Sequence, residues 1–155
     1  MKRYVSDNDD NYYTYMLKIL NAIGGRKLQY NWLITDIEAY PQDNANFGEL
    51  VRNNGFLFFT NDELISRLEK DDFQWCFAVF SAIPKKYSKE DILKYKLPFT
   101  DGNYDIYRDD RFIIQHPLAD IEIVAFDSSS VHIVAKDDMI ADKFKKVFKS
   151  SRINY

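Results

Sequence analysis

Residues 113–136 read IIQHPLADIEIVAFDSSSVHIVAK, and this stretch decides the fold more than any other part of the chain. Two apolar runs flank the polar residues Asp127, Ser128, Ser129 and Ser130, as two strands of a β-hairpin flank their turn. Short runs rich in branched residues are typical of strands. The stretch therefore predicts an antiparallel pair of strands.

Three segments further upstream are also predicted to be strands. Residues 30–40, YNWLITDIEAY, alternate branched and aromatic residues with others and stop at Pro41. Residues 55–59 form a short apolar run that predicts a buried strand. Residues 73–83, FQWCFAVFSAI, are apolar on both alternating faces, as in a central strand that is covered on each side. We expect Pro84 to end this strand, because proline has no N–H to donate.

Four helices are predicted from apolar spacing and from capping residues in their first turns. Thr60 with Glu63 has the spacing of a capping box, which predicts a helix over residues 61–70. Residues 42–54 are polar and rich in Asn, and they predict a connection with at most one short helical turn. The other helices are expected from Asp9 or Asp10 to Ile23, from Ser88 towards Pro98, and from Asp137 or Asp138 to Lys149.

The order of these elements mixes helices with strands and ends in a hairpin, which indicates an α+β protein. We expect a single domain over residues 1–155, with a mainly antiparallel sheet and helices packed on it. A chain of 155 residues buries enough surface to fold without a disulfide or a metal ion. Its one cysteine, Cys76, lies in an apolar run and is interpreted as a buried, inert thiol.

Charge and hydropathy narrow the classes of function. The chain has 24 acidic and 21 basic residues spread along its length, and this distribution gives no basic surface for phosphate backbones. No apolar run approaches the roughly 20 residues that span a membrane as a helix. The first residues lack the apolar core of a signal peptide. We therefore expect a cytoplasmic protein that binds neither nucleic acid nor membrane.

The aromatic residues divide into two groups. Most Phe residues lie in apolar runs and are expected to fill the core. Several Tyr residues lie among polar neighbours instead, above all in residues 98–111, PFTDGNYDIYRDDR. A long polar loop of this kind is either functional or mobile. Exposed Tyr favours contacts with other proteins.

Four acids on two strands allow one catalytic hypothesis. Asp36 and Glu38 alternate along one predicted strand, and Asp120 and Glu122 alternate along another. If these strands were neighbours, the carboxylates could converge on a divalent cation such as Mg²⁺ or Ca²⁺. The alternative function is therefore a metal-dependent hydrolase. We prefer the simpler interpretation that the four acids mark the solvated face of a sheet.

Other catalytic or ligand-binding groupings have less support in the sequence. His116 and His132 lie near opposite strands of the hairpin, and a Ser–His–Asp set can be written with Asp127 and the turn serines. Serines suit the turn itself, however, and no glycine-flanked elbow presents a nucleophile. A small-ligand pocket near Trp32 and Trp75 is a third hypothesis. We predict no catalytic residue, no metal site and no cofactor.

The segment that begins at Asp91 also carries a resemblance to a known family. The stretches DILKYKLPFTDG, HPLADIEIVAFDSS and IVAKDD resemble a family of small proteins of unknown function from Bacillus-like bacteria. Trp32-Leu33-Ile34 and the strand around Trp75 are similar to earlier parts of that family. The resemblance implies a stand-alone cytoplasmic bacterial protein, and it implies neither an activity nor site residues.

The leading hypothesis is a non-enzymatic protein-binding module of the immunity or inhibitor type. Immunity proteins are likewise small and acidic, and an acidic surface speeds the encounter with a basic toxin or enzyme. A homodimer through an exposed edge of the hairpin also stays open. The predicted partner-binding residues are Tyr104, Asp105, Tyr107, Asp109 and Asp110 in the polar loop, with Asp36 and Glu38 as a second acidic patch.

Overall fold

A computed structural model describes residues 1–7, 14–107 and 113–153, except for the side chains of Asn44 and Tyr107. Its strands are β1 (Lys2–Ser6), β2 (Tyr30–Ala39), β3 (Phe56–Thr60), β4 (Trp75–Pro84), β5 (Ile121–Phe126), β6 (Ser130–Ala135) and β7 (Arg152–Ile153). They form one seven-stranded sheet in the order β3-β2-β4-β5-β6-β1-β7. Every neighbouring pair is antiparallel, which confirms the predicted α+β fold with an antiparallel sheet.

The helices pack mainly on one face of this sheet, called here the first face. They are α1 (Met16–Ile23), α2 (Glu49–Asn53), α3 (Asn61–Lys70), α4 (Lys89–Ile92) and α5 (Asp138–Val147). One continuous core joins the apolar sides of α1, α3 and α5 to side chains from the first face. None of the helices in the described parts of the chain is both long enough and apolar enough to cross a membrane.

The opposite, second face of the sheet is covered by residues 85–107 and 113–120, which we call the covering segment. Ile106 and Ile114 of this segment pack against Val79 and Val124 of the sheet. A neighbouring cluster places Ile92 of the segment beside other apolar side chains of the second face. β4 is therefore covered on both faces, as its two-sided apolar pattern predicts.

The β5–β6 hairpin is confirmed, but its position in the sheet differs from the prediction. The connection has three residues, Asp127–Ser129, of which Asp127 and Ser128 have positive φ, 49° and 53°, and the Ser129 N–H donates to the Phe126 carbonyl at 3.1 Å. Both strands lie inside the sheet, since β5 has β4 as its other neighbour and β6 has β1. A homodimer through a free edge of the hairpin is therefore excluded, because the hairpin has no free edge.

The first helix starts later than the sequence predicts. α1 begins at Met16, while the predicted caps, Asp9 and Asp10, lie outside the described residues. A carboxylate from elsewhere in the chain serves this helix, because Asp72 Oδ1 accepts a bond from the Leu17 N–H at 3.5 Å. The predicted end of the helix at Ile23 is confirmed.

Local capping signals are confirmed in α3 and α5. Thr60 Oγ1 accepts a hydrogen bond from the Glu63 N–H at 3.2 Å, and Glu63 Oε2 accepts one from the Thr60 N–H at 2.8 Å. In α5, Asp137 Oδ1 accepts a bond from the Met139 N–H at 2.9 Å. These contacts satisfy N–H groups that have no partner within their own helix.

Residues 42–54 hold more helix than the sequence predicts. They form a π-helical turn, Asn44–Gly48, followed directly by α2. The turn places Phe47 in the core, where its side chain is fully buried. Strands β1 and β7 were not predicted at all. Cys76 was predicted to be buried but is half-buried.

Candidate functional site

Asp36 holds one end of the polar loop against the sheet. A β-bulge interrupts the pairing of β2 with β4 between Thr35 and Glu38, and Asp36 adopts a positive φ of 50° there. Bulges change the direction of side chains at such positions. Asp36 Oδ2 consequently accepts hydrogen bonds from the backbone N–H groups of Thr100 at 2.7 Å and Asp101 at 2.8 Å.

Glu122 holds the other end of the loop in the same manner. Its side chain is completely buried, so the expectation that it lies on a solvated face is wrong. Oε2 accepts a bond from the Gln115 N–H at 2.8 Å, and Oε1 accepts one from the His116 N–H at 2.8 Å. The Ser81 hydroxyl donates a third bond to Oε1 at 3.1 Å. Two carboxylates of the sheet, Asp36 and Glu122, thus each bind two consecutive amides of the covering segment.

His116 adds an internal tie within the covering segment. The Leu118 N–H donates to its Nδ1 at 3.2 Å, so the ring proton lies on Nε2 and is donated to the Ile92 carbonyl at 3.1 Å. Burial lowers the pKa of His116, which favours this neutral form. The ring therefore links α4 to the chain that leads into β5.

The covering segment is rich in exposed apolar side chains, both before the first anchored amides and between the two pairs of anchored amides. Ten large hydrophobic residues are exposed in the described chain, and five of them lie between positions 93 and 113 of the covering segment. Tyr104 and Ile113 are the most open of the five, at 78% and 56% exposure. Single exposed hydrophobic residues are ordinary, whereas contiguous exposed apolar patches are typical of interaction sites. The five residues are Leu93, Tyr95, Phe99, Tyr104 and Ile113.

A cleft of about 360 Å³ opens on this surface. Gln115 fixes part of its wall, because its side-chain amide donates to the Phe99 carbonyl at 3.1 Å and accepts from the Phe99 N–H at 3.0 Å. The Lys96 ammonium lies 4.9 Å from the centre of the Phe99 ring. The lining combines apolar Leu97, Pro98, Phe99, Ile106 and Ile113 with polar Lys96, Asn103, Asp105 and Gln115.

The predicted partner-binding residues are partly brought together. Tyr104 and Asp105 are exposed on the loop, and Asp36 reaches the same loop through its two amide contacts. Glu38 is exposed two positions further along β2. Tyr107 ends the 3₁₀ turn Tyr104–Tyr107, whereas Asp109 and Asp110 lie outside the described residues. The exposure of Phe99 and Ile113 was not predicted, because apolar residues beside apolar runs are expected to be buried.

The four carboxylates of the hydrolase hypothesis do not converge. Asp36 binds backbone amides, Glu122 is buried, and Asp120 forms an ion pair with Lys136 at 3.0 Å. Within the described residues, no group of three or more His, Cys, Asp or Glu side chains has the arrangement of a metal site.

A Ser–His contact exists in the hairpin, but its environment does not suit catalysis. Ser130 Oγ lies 3.1 Å from His132 Nε2, and both side chains are buried. Burial lowers the pKa of His132 to about 4, so the ring is a poor base near neutral pH. The tryptophans of the third hypothesis, Trp32 and Trp75, are fully buried in the core, and neither lines the 360 Å³ cleft of the covering segment.

A second cleft, of about 450 Å³, lies between the π-helical turn and α3. Its polar groups largely satisfy one another. Arg67 Nη1 donates to the Asn46 carbonyl at 2.6 Å, and Asn46 Nδ2 donates to the Arg67 carbonyl at 2.8 Å. Asp43 Oδ1 accepts bonds from two amides of the turn. These contacts hold the π-helical turn against α3, and the cleft is the junction between the two elements.

No family model, no curated protein and no solved structure matches this chain. The resemblance to small proteins from Bacillus-like bacteria stays a hypothesis. The assignment of the candidate site therefore rests on the covering segment, its two anchors and its cleft.

The burial of Glu122 predicts a defined pH dependence of stability. Burial raises its pKa to about 7 from 4.5, so the folded state favours the neutral acid. The contribution of Glu122 to the free energy of unfolding is therefore fully present below about pH 4.5 and is lost as the pH rises through 7. The shift corresponds to about 3 kcal/mol. Let the stability difference be the free energy of unfolding of the wild type minus that of Glu122→Gln. We expect this difference to fall by about 3 kcal/mol between pH 4 and pH 8.

Denaturant unfolding of both proteins across this range checks the prediction. Subtracting the variant cancels other titrations, such as that of His132, which gains stability with rising pH because its folded pKa is lowered. A difference that stays constant from pH 4 to pH 8 would contradict the prediction.

Proposed function

We propose that this protein is a non-enzymatic binding module that contacts a protein partner through the exposed surface of the covering segment. The observation that carries the proposal is the concentration of half of the exposed large hydrophobic residues of the described chain within positions 93–113. Aromatic residues on a surface supply much of the energy of protein recognition. A cleft beside them gives a partner side chain a place to insert.

The two anchors support this role, because they fix the chain to the sheet on both sides of the loop. Asp36 and Glu122 each bind two consecutive amides, one on either side of the loop. A surface that is ordered before binding loses less conformational entropy when the partner arrives. The loop is therefore suited to recognition while the sheet beneath it supplies rigidity.

In the described part of the loop, residues 98–107, both charged side chains are acidic, and this part of the surface favours a basic partner. Asp101 and Asp105 are exposed in the loop, and the acidic Asp36 and Glu38 lie at the adjoining bulge of β2. Acidic groups around an apolar contact raise the rate of encounter with a basic protein. An immunity or inhibitor protein acting in a bacterial cytoplasm on a basic toxin or enzyme would use such a surface.

The test is capture of a partner by the purified protein and by a double variant, Tyr104→Ala with Ile113→Ala. Both side chains are highly exposed, so their removal should leave the thermal stability unchanged. We expect the wild type to retain a stoichiometric protein from extracts of its native cells and the double variant to lose at least tenfold in affinity for it. Titration calorimetry with the purified partner measures the change.

Met139→Ala is the matched control, because Met139 is 68% exposed but lies on α5, over the first face of the sheet. This variant should bind as the wild type does. Equal affinity of the wild type and the double variant would refute the assigned surface. A partner whose affinity does not fall with added salt would refute the electrostatic part of the proposal.

A further inference from the structure

The outer edge of β3 is a second surface with a specific geometry. β3 is the first strand of the sheet, and its only paired neighbour among the described strands is β2. An edge strand presents unpaired N–H and C=O groups, and natural proteins usually protect such edges with charges, prolines or bulges. The sequence from Gly55 to Thr60 is GFLFFT and contains none of the charged residues or prolines that would protect it.

The hydrogen-bond alternation of the sheet identifies which residues face outwards. The Ala82 carbonyl of β4 accepts a bond from the Asp120 N–H, so Ala82 faces β5. Because successive residues of a strand bond to opposite sides, Ser81 faces β2 and bonds with its opposite residue, Leu33. Trp32 and Ile34 of β2 therefore face β3.

The same alternation continues across β3. Trp32 is opposite Phe59 and Ile34 is opposite Leu57, so Phe59 and Leu57 bond back to β2. Phe56 and Phe58 consequently direct their N–H and C=O groups away from the sheet. Thr60 agrees with this assignment, because its N–H donates to Glu63 Oε2 and not to β2.

We propose that this edge pairs with the same edge of a second copy of the chain. Two outward residues separated by one inward residue form a self-complementary unit. With a two-fold axis at Leu57, Phe56 of each copy is opposite Phe58 of the other, and each pair exchanges both backbone bonds. The half-buried Phe56 and Phe58 side chains become cross-strand aromatic neighbours on the second face of the joined sheets.

Two observations favour a second copy as the occupant. The strand carries no charge, so pairing with itself brings no like charges together. The other edge of the sheet, β7, spans two residues in the described part of the chain, and its Arg152 forms an ion pair with Asp7 at 2.6 Å. Pairing of β3 with β7 of another copy is therefore much less favourable than pairing of β3 with itself.

Sedimentation of the wild type over a concentration series up to about 1 mM tests the dimer, because so short a contact predicts weak association. The mass should rise from 18.4 kDa towards twice that value. Amide exchange measured in the same series should slow at least tenfold at Phe56 and Phe58. Leu57 and Phe59 should exchange at one rate throughout, since they already bond to β2.

Phe56→Glu should keep the protein at the mass of a single chain, because it places a carboxylate at the centre of the contact. Lys89, whose ammonium lies 5.5 Å from the centre of the Phe56 ring, can pair with the new carboxylate in the single chain. Met139→Glu, on α5, is the control and should dimerise as the wild type does. A single-chain mass at every concentration would overturn the proposal. So would a dimer whose exchange at Phe56 and Phe58 is unchanged, and both readouts use the wild type.

Discussion

Replacing Glu122 with alanine is expected to lower the free energy of unfolding by about 3–5 kcal/mol at pH 6. The change removes the acceptor of three donors at once, namely the buried N–H of His116, the buried hydroxyl of Ser81 and the partly buried N–H of Gln115. Each unsatisfied buried group costs about 1–3 kcal/mol. The covering segment also loses one of its two anchors, so the effect reaches the candidate binding surface.

Denaturant unfolding at pH 6 measures this loss, and amide exchange locates it. The amides of residues 113–116 and of Leu118 should exchange faster in Glu122→Ala than in the wild type, while those of α3 should not change. Asp120→Ala is the matched control, because it removes an acid two positions away whose ion pair with Lys136 is partly exposed. That variant should lose less than about 1 kcal/mol. Equal losses in the two variants would show that Glu122 is not an anchor.

Phe47→Ala is expected to lower the free energy of unfolding by about 3–5 kcal/mol, as large-to-small changes of buried Phe do. The ring is fully buried although it comes from a connection between strands. It contacts Phe73 and Trp75 edge-on, with ring centres 5.2 and 5.8 Å apart. Removing it leaves a cavity between the π-helical turn and the sheet, and the turn loses its main apolar attachment.

Denaturant unfolding measures the free energy of unfolding of Phe47→Ala, and Tyr40→Ala is the control variant. Tyr40 lies just before the same connection but is 69% exposed, so its truncation should change the stability by less than about 1 kcal/mol. A loss below about 1 kcal/mol for Phe47→Ala would mean that the turn does not depend on its buried ring.

The sequence signals that predicted structure correctly are local. Thr60 and Glu63 are three positions apart, and their capping box is formed by adjacent backbone groups. The hairpin is likewise predicted by a local pattern, two apolar runs with a polar turn between them. β1 escaped prediction because KRYVS is too short and too polar to show a period, and its partners lie far along the chain.

The candidate site was only partly predictable for the same physical reason. The exposure of Tyr104 follows from its polar neighbours, which the sequence displays directly. The role of Asp36 depends on amides 64 and 65 positions away, and no local pattern encodes such a contact. Glu122 was expected to be solvated because acids usually are, whereas the burial cost is offset here in part by three donors that only the folded chain assembles.

The position of β1 has a consequence for how the protein folds. Tyr4 pairs with Ile133 on one side and with Ile153 on the other, so β1 is synthesised long before either of its partners. Contacts between such distant parts of a chain close large loops and slow the folding reaction. Until they form, the edge of β6 remains open to other chains. During synthesis on the ribosome, the protein is therefore most prone to aggregate in the interval before its last strands join β1.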